Sequence, residues 1–290
     1  MDGVGGADSH HLEDTHDSAG DTSVSADPGG PCAAYAPAVE AGTVADPALD
    51  ELSGLAVSRR NPGVLWTHED SGGTATLTAL DATGATRATL TLDGATNVDW
   101  EDLALAPCGA TTCLWVGDIG DLGAGRTEFV IYRVEEPLLD AATEYIATPD
   151  AFPYTYPDGA EDAEALFVAD EVPYILTKRA DATAGLYRLP AGADTLEPLA
   201  DLPTGAPTED LTARVTAADL WPATATLLVR TYLHLYTFDL TDPTAPIGPV
   251  DVPFALEVQG EAVAWDPLRG GFWQVAEAVS PTLWWTGCAG

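Results

Sequence analysis

Asp99, Glu101 and Asp102 stand in the stretch NVDWEDLALA, directly in front of an alternating apolar run. Like charges this close repel, and each loses solvation as it nears a core. Such a cluster is either solvated or held against something cationic. Other apolar runs begin in the same way, with Glu164 in DAEALFVA, Asp219 in VTAADLWP and Glu261 in QGEAVAWD, while Ser53 holds the matching place in ELSGLAVS. Oxygen-rich, thiol-poor surroundings suit a hard divalent cation, Ca²⁺ ahead of the more strictly octahedral Mg²⁺. The segment GDIGDLGAGR adds Asp118 and Asp121 on a glycine-rich turn able to bend backbone oxygens toward an ion, although the spacing of an EF-hand loop is absent. The expected ligand set is therefore Ser53, Asp99, Glu101, Asp118, Asp121, Glu164, Asp219 and Glu261. The alternative is structural: these acids bond to backbone N–H groups or to Arg126, Arg179 and Arg230.

A repeat can bring such distant residues to one place. From about residue 45 the chain consists of short runs rich in Val, Leu, Thr, Trp and Tyr, broken by Gly, Pro and Asp, which is strand and turn chemistry. One unit recurs five times, beginning ELSGLAVS, DWEDLALA, DAEALFVA, VTAADLWP and QGEAVAWD, with Leu55, Leu103, Leu166, Leu220 and Val263 aligned. Each start is followed by a second run (VLWTHED, LWVGDIGD, YILTKRA, LLVRTYL, FWQVAEA), a third and usually a weaker fourth. Repeated four-stranded units are the signature of a β-propeller, and the count predicts an all-β fold of five blades. A divergent unit around residues 135–160 would make six. The last unit lacks a fourth strand, which AAYAPAVEAG after Cys32 could supply, closing the ring. First strands line a propeller's channel and second strands return to the same face. The starts of the former and the ends of the latter (His68, Asp118, Lys178, Thr231 after Arg230, Glu277) should therefore meet in one acidic funnel.

The scarce bases open a second possibility. Lys178 is the only lysine. Arg126, Lys178, Arg179 and Arg230 either balance the acidic ring or form an anion clamp beside a metal, a pairing suited to phosphate esters. His68, next to Glu69 and Asp70, would then be the candidate general acid/base. No G-x-S-x-G, P-loop or G-x-G-x-x-G motif occurs, and no credible Ser-His-Asp order. His10, His11 and His16 with Asp14 and Asp17 could chelate a transition metal, but flexible tails of this kind usually bind nothing specific. Trp66, Trp115, Trp273, Trp284 and Trp285 fall on second and third runs, where packing between blades explains them better than a sugar platform.

Composition sets the limits. The chain has 290 residues, 46% of them hydrophobic, with 11 Lys+Arg against 46 Asp+Glu and a formal net charge of −35. That balance excludes nucleic acid, whose phosphates need a basic footprint, and disfavours anionic membranes. No apolar run approaches the ~18 residues of a membrane span. Residues 1–31 are polar and acidic, without the apolar segment of a signal peptide, and read as a disordered tether ahead of a propeller domain over 32–290. Four cysteines in no CxxC pair suggest disulfides and an extracytoplasmic, secreted or lipid-tethered location. Cys108 and Cys113 would clip a hairpin, and Cys32 and Cys288 would staple the closure of the ring.

The segments ELSGLAVS…VLWTHEDSGG, NVDWEDLAL…LWVGDIGD, YPDGAEDAEAL…TKR and QGEAVAW resemble a family of secreted bacterial propellers. More distantly, ELSGLAV and WEDLAL resemble phytase-like and SdiA-regulated propellers, and the acidic channel is similar to that of the calcium-dependent apyrases. The resemblance implies a propeller with Ser53, Glu101, Glu164 and Glu261 as calcium ligands. Two functions are expected from these readings. One is a monomeric extracytoplasmic binding or scaffold module that holds Ca²⁺ and takes a small-molecule or protein ligand at its funnel. The other is a metal-dependent phosphoesterase.

Overall fold

The structure is a computed structural model that describes Met1, Gly3 and residues 30–290, except 122, 124 and 207–210. The candidate chelating residues His10, His11, Asp14, His16 and Asp17, and most of the expected tether, lie outside the described residues.

Alternation of small or branched apolar residues with turn residues resolves into five antiparallel blades, numbered in chain order. The first comprises β2 (Leu52–Val57), β3 (Val64–Glu69), β4 (Thr76–Asp81) and β5 (Thr86–Leu92). The second comprises β6 (Trp100–Cys108), β7 (Thr111–Asp118), β8 (Phe129–Glu135) and, as outermost strand, β10 (Asp150–Tyr154). The third runs through β11 (Ala163–Ala169), β12 (Val172–Thr177), β13 (Thr183–Arg188) and β14 (Glu197–Pro203). The fourth runs through β15 (Val215–Trp221), β16 (Thr226–Thr231), β17 (Leu235–Asp239) and β18 (Ile247–Asp251). The fifth contains β19 (Gly260–Asp266), β20 (Gly271–Ala276) and β21 (Thr282–Thr286), completed by β1 (Val39–Thr43), which pairs with β21 as the closing strand.

Residues 135–160 do not form a sixth blade. They place β9 (Glu144–Ala147) parallel to β5 at the edge of the first blade, and then supply β10 to the second. The chain thus laces two neighbouring blades together. Cys32 is bonded to Cys288 beside the closing strand, and Cys108 to Cys113 across the β6–β7 hairpin.

The core lies between blades. Five clusters of buried side chains fill the five interfaces. Trp66 and Trp100 pack between the first and second blades, Trp115 between the second and third, Trp221 and Trp265 between the fourth and fifth, and Trp273 between the fifth and first. Packing by these flat side chains is what a ring of twisted sheets requires. Trp284 and Trp285 are only half-buried. Two buried charged side chains also join neighbouring blades. Glu136, at the end of the molecule opposite the funnel, accepts from Trp66 Nε1 at 3.1 Å, Thr112 Oγ1 at 2.7 Å and Ser58, joining the first two blades. Arg230 is fully buried between the last two, with Nη2 2.7 Å from Glu257 Oε2 and Nη1 3.0 Å from the Ala262 carbonyl. Gly260 must lack a side chain there, since a Cβ would sit 1.9 Å from Nη2.

Candidate functional site

Every inner strand carries an irregularity of register near its start, between Leu52 and Leu55, Trp100 and Asp102, Ala163 and Ala165, Val215 and Ala217, and Gly260 and Ala262. A bulge leaves one residue unpaired and re-aims its side chain. The residues so placed are Ser53, Glu101, Glu164, Thr216 and Glu261. This corrects the sequence alignment in the fourth blade: Ala218, not Leu220, is equivalent to Leu55, Leu103, Leu166 and Val263. The ring position belongs to Thr216, not to Asp219. Asp219 lies deeper along β15, where it accepts from Leu220 N and Trp265 N, each at 2.8 Å, and faces Arg59.

The second strands are likewise in register at Glu69, Asp118, Thr177, Thr231 and Ala276. One residue further on, four backbone N–H groups turn back to the residue preceding an inner strand. These are Asp70 to Glu51 O at 2.8 Å, Ile119 to Asp99 O at 3.1 Å, Lys178 to Asp162 O at 2.9 Å and Glu277 to Gln259 O at 2.9 Å. These repeated closures set Asp70, Lys178 and Glu277 around the funnel mouth, with Tyr232 beside Lys178. Sequence alone pointed to His68 where Asp70 stands.

The funnel therefore gathers Asp70, Asp99, Glu101, Glu164, Glu261 and Glu277 around Lys178. Carboxylate oxygens of Asp70, Asp99 and Glu101 all lie within 4.8 Å of one another. Gly120 makes room for two of them, because a Cβ there would fall 2.2 Å from Glu101 Oε1 and 2.6 Å from Asp99 Oδ2. Lys178 Nζ bonds Glu164 Oε1 at 2.5 Å and sits 5.3 Å from the centre of the Tyr232 ring. Ser53 Oγ donates to the Glu101 carbonyl at 2.5 Å and Thr216 Oγ1 to the Gly260 carbonyl at 2.8 Å, so the two hydroxyls of the ring lock neighbouring blades.

Burial and mutual repulsion hold these acids toward their neutral forms. Glu164 is lifted to about 8, first by burial, against the pull of Lys178. Glu261 and Asp70 each rise to about 7, again mainly by burial, and Glu101 rises well above the ordinary range through burial and then Glu164, Asp70 and Asp99. Burial alone would lower the Lys178 ammonium, but Glu164, Tyr232 and Glu261 raise it. Ionised together, these acids would repel one another, and a cation among them would offset that repulsion.

Beneath the funnel the channel is plugged. The position after each bulge is Gly54, Asp102, Ala165, Ala217 and Ala262, one carboxylate in a ring of residues no larger than alanine. Asp102 is fully buried. Its Oδ1 accepts from Leu103 N at 2.8 Å, and its Oδ2 from Leu166 N at 2.9 Å and Ala218 N at 3.1 Å. One side chain thus joins the inner strands of three blades.

The other expected residues have structural partners. Asp118 pairs with Arg126 at 2.8 Å and accepts from Asp99 N at 3.1 Å. Asp121 accepts from Gly125 N at 2.9 Å and Arg126 N at 3.0 Å. Arg179 grips Glu161 with two bonds of 2.7 Å and reaches Asp201 at 2.6 Å. With Lys178 on Glu164 and Arg230 on Glu257, all four bases of the expected anion clamp are committed to carboxylates. His68 is wholly buried under Gly54 and edge-on to Trp100. Its Nδ1 bonds the Glu69 carbonyl at 3.0 Å, and burial lowers the ring to about 4. A neutral imidazole sealed in the core is not placed to exchange protons with a ligand in the funnel.

Among the described residues no helix is long and apolar enough to cross a membrane. No protein-family model and no curated protein sequence matches the chain. Among solved structures, a chain of a mitotic checkpoint complex is similar at 15% identity and a TM-score of 0.41, over 80% of this chain and 60% of that one. The structure of U3-55K is similar at 12% identity and a TM-score of 0.44, over 81% of this chain and 67% of that one. The strand order makes this chain a five-bladed β-propeller.

Proposed function

We propose that this propeller is an extracytoplasmic binding module whose funnel holds a calcium ion on Asp70, Asp99 and Glu101, with residues 1–31 as its tether. The carrying observation is the meeting of those three carboxylates, from two blades, within 4.8 Å. Two oxygens on one Ca²⁺ are at most about 5 Å apart, so a single ion can reach all three. An ion there neutralises acids that otherwise repel one another, and its hardness matches an all-oxygen donor set. Two disulfides fit an oxidising compartment. The pairing of every candidate clamp residue with a carboxylate, and the burial of His68, support binding over phosphate-ester hydrolysis.

Isothermal titration with Ca²⁺ tests this reading. Wild-type protein should bind one ion per chain, and Glu101→Gln should weaken binding roughly tenfold or more, since ligand charge sets affinity at such sites. Lack of heat with the wild type, or an unchanged affinity in Glu101→Gln, would remove the reading. In the same preparations, phosphatase and nucleotidase substrates should show no calcium-dependent turnover.

A further inference from the structure

Exposed apolar residues stand at the same end of the molecule as the acidic pit. The connections that enter the inner strands (93–99 and 252–259) and those that leave the second strands (232–234 and 277–281) all lie at the funnel end. They carry Val98 at 53% exposure, Leu233 at 42%, Leu256 at 70%, Val258 at 96% and Val279 at 68%. Elsewhere the exposed large apolar residues of the blades sit on outer strands (Val39, Ile146, Ile247, Val250) or singly at the opposite end (Leu138, Leu268). Exposed aliphatic residues gathered at one mouth of a chain this charged mark an interaction surface.

The rim and the pit are physically joined. Glu277 N donates to the Gln259 carbonyl at 2.9 Å, and Gln259 Nε2 donates to Glu277 Oε2 at 3.0 Å. Those bonds tie the connection bearing Val258 to the one bearing Val279, with Glu277 between them and the pit. Behind this ledge stands Glu261, 5% exposed, whose Oε2 has no hydrogen-bond partner among the described residues. It faces Lys178, Glu277, Arg230 and Asp70. A buried carboxylate oxygen left unpaired costs free energy that a donor would recover. The kind of donor is displayed by the chain itself, since the Lys178 ammonium already lies on Glu164 with its approach along an aromatic face.

We propose that the funnel end docks a polypeptide segment that lowers a lysine or arginine side chain onto Glu261 and Glu277 while its apolar neighbours cover the rim. Charge selects this occupant. A second copy of the chain would bring a net charge of −35 against −35, and an anionic bilayer would be repelled in the same way. One calcium ion and Lys178 together leave the pit anionic, so the proposal stands with or without the metal.

Fluorescence anisotropy with a labelled peptide bearing one central lysine between Leu-Val flanks tests it, in calcium and in EGTA. Saturable binding is expected in both conditions. It should weaken about tenfold when norleucine replaces the lysine, when serines replace the flanks, or in Glu261→Gln. The double variant Val258→Ser/Val279→Ser should lose as much while keeping its circular dichroism spectrum, which covers the case that Glu261→Gln fails to fold. Lack of binding to the lysine peptide, equal binding to the norleucine peptide, or binding to phosphatidylserine vesicles in place of the peptide would overturn the proposal. The calorimetric calcium result is independent of all three.

Discussion

Replacing Asp102 with alanine should cost the fold about 3–6 kcal/mol, because two backbone N–H groups from other blades, at Leu166 and Ala218, would be left buried without a partner. The surrounding ring offers nothing in compensation: Gly54, Ala165, Ala217 and Ala262 carry no polar atom beyond the backbone. Burial lifts the Asp102 carboxyl well above its usual range, against the pull of its three N–H donors. Asp102→Asn, which keeps an accepting oxygen and the volume, should therefore lose much less than Asp102→Ala. Urea unfolding of both variants measures the difference. A loss in Asp102→Ala no larger than that of an ordinary surface change would mean that this carboxyl does not hold the inner strands together.

The second large effect is a dependence of stability on pH that calcium reverses. Glu164 is held at about 8, Glu261 and Asp70 at about 7, and Glu101 well above the ordinary range, whereas all titrate near 4 in an unfolded chain. A raised folded-state pKa means that folding favours the protonated acid. The stability so gained is fully present below about pH 4 and is lost as pH rises through about 7–8. In EGTA the unfolding free energy should fall by roughly 3–5 kcal/mol from pH 5 to pH 8, a drop of about 10 °C in Tm for a chain of this length. Asp81, Asp181, Asp239 and Asp242 have lowered pKa values from turn hydrogen bonds, and their opposite effect appears only below about pH 4. Calcium stabilises the ionised cluster. Its effect on Tm should be small at pH 5, where protons compete, and largest at pH 8. Thermal melts across this range, with and without the ion, would show the two curves diverging. Parallel curves would mean that no cation site is linked to these acids.

Blade number and closure were legible because they depend on composition: four β-rich runs per unit, turn residues between them, and an orphan strand after Cys32. The fine placement of the site was not. A shift of two residues preserves the inward and outward faces of a strand, so alternation could not distinguish Ala218 from Leu220 as the anchor of the fourth blade. The LWP run favours aligning Asp219 with the ring acids, and no residue type marks the Thr216 hydroxyl as the occupant of that place. Bulges have no residue signature here, since Ser, Glu and Thr all occupy them. That is why Glu101 and Asp102, adjacent in sequence, could not be assigned separate tasks at the mouth and in the throat. Asp70 is obscured for a related reason: the residue types end the second strand at His68, whereas β3 continues to Glu69 and Asp70 follows it. The backbone N–H of Asp70, bonded to Glu51 O, is what brings its carboxylate to Asp99 and Glu101. The lone lysine could be singled out from composition, but its bond to Glu164 depends on register across the sheet.

The most direct measurement is a crystal structure of the protein grown with calcium, with anomalous data collected to locate the ion. One peak is expected in the funnel, within about 2.3–2.6 Å of oxygens from Asp70, Asp99 and Glu101. An empty funnel in calcium-saturated crystals, or calcium bound only to carboxylates on the outer strands, would contradict the proposed site.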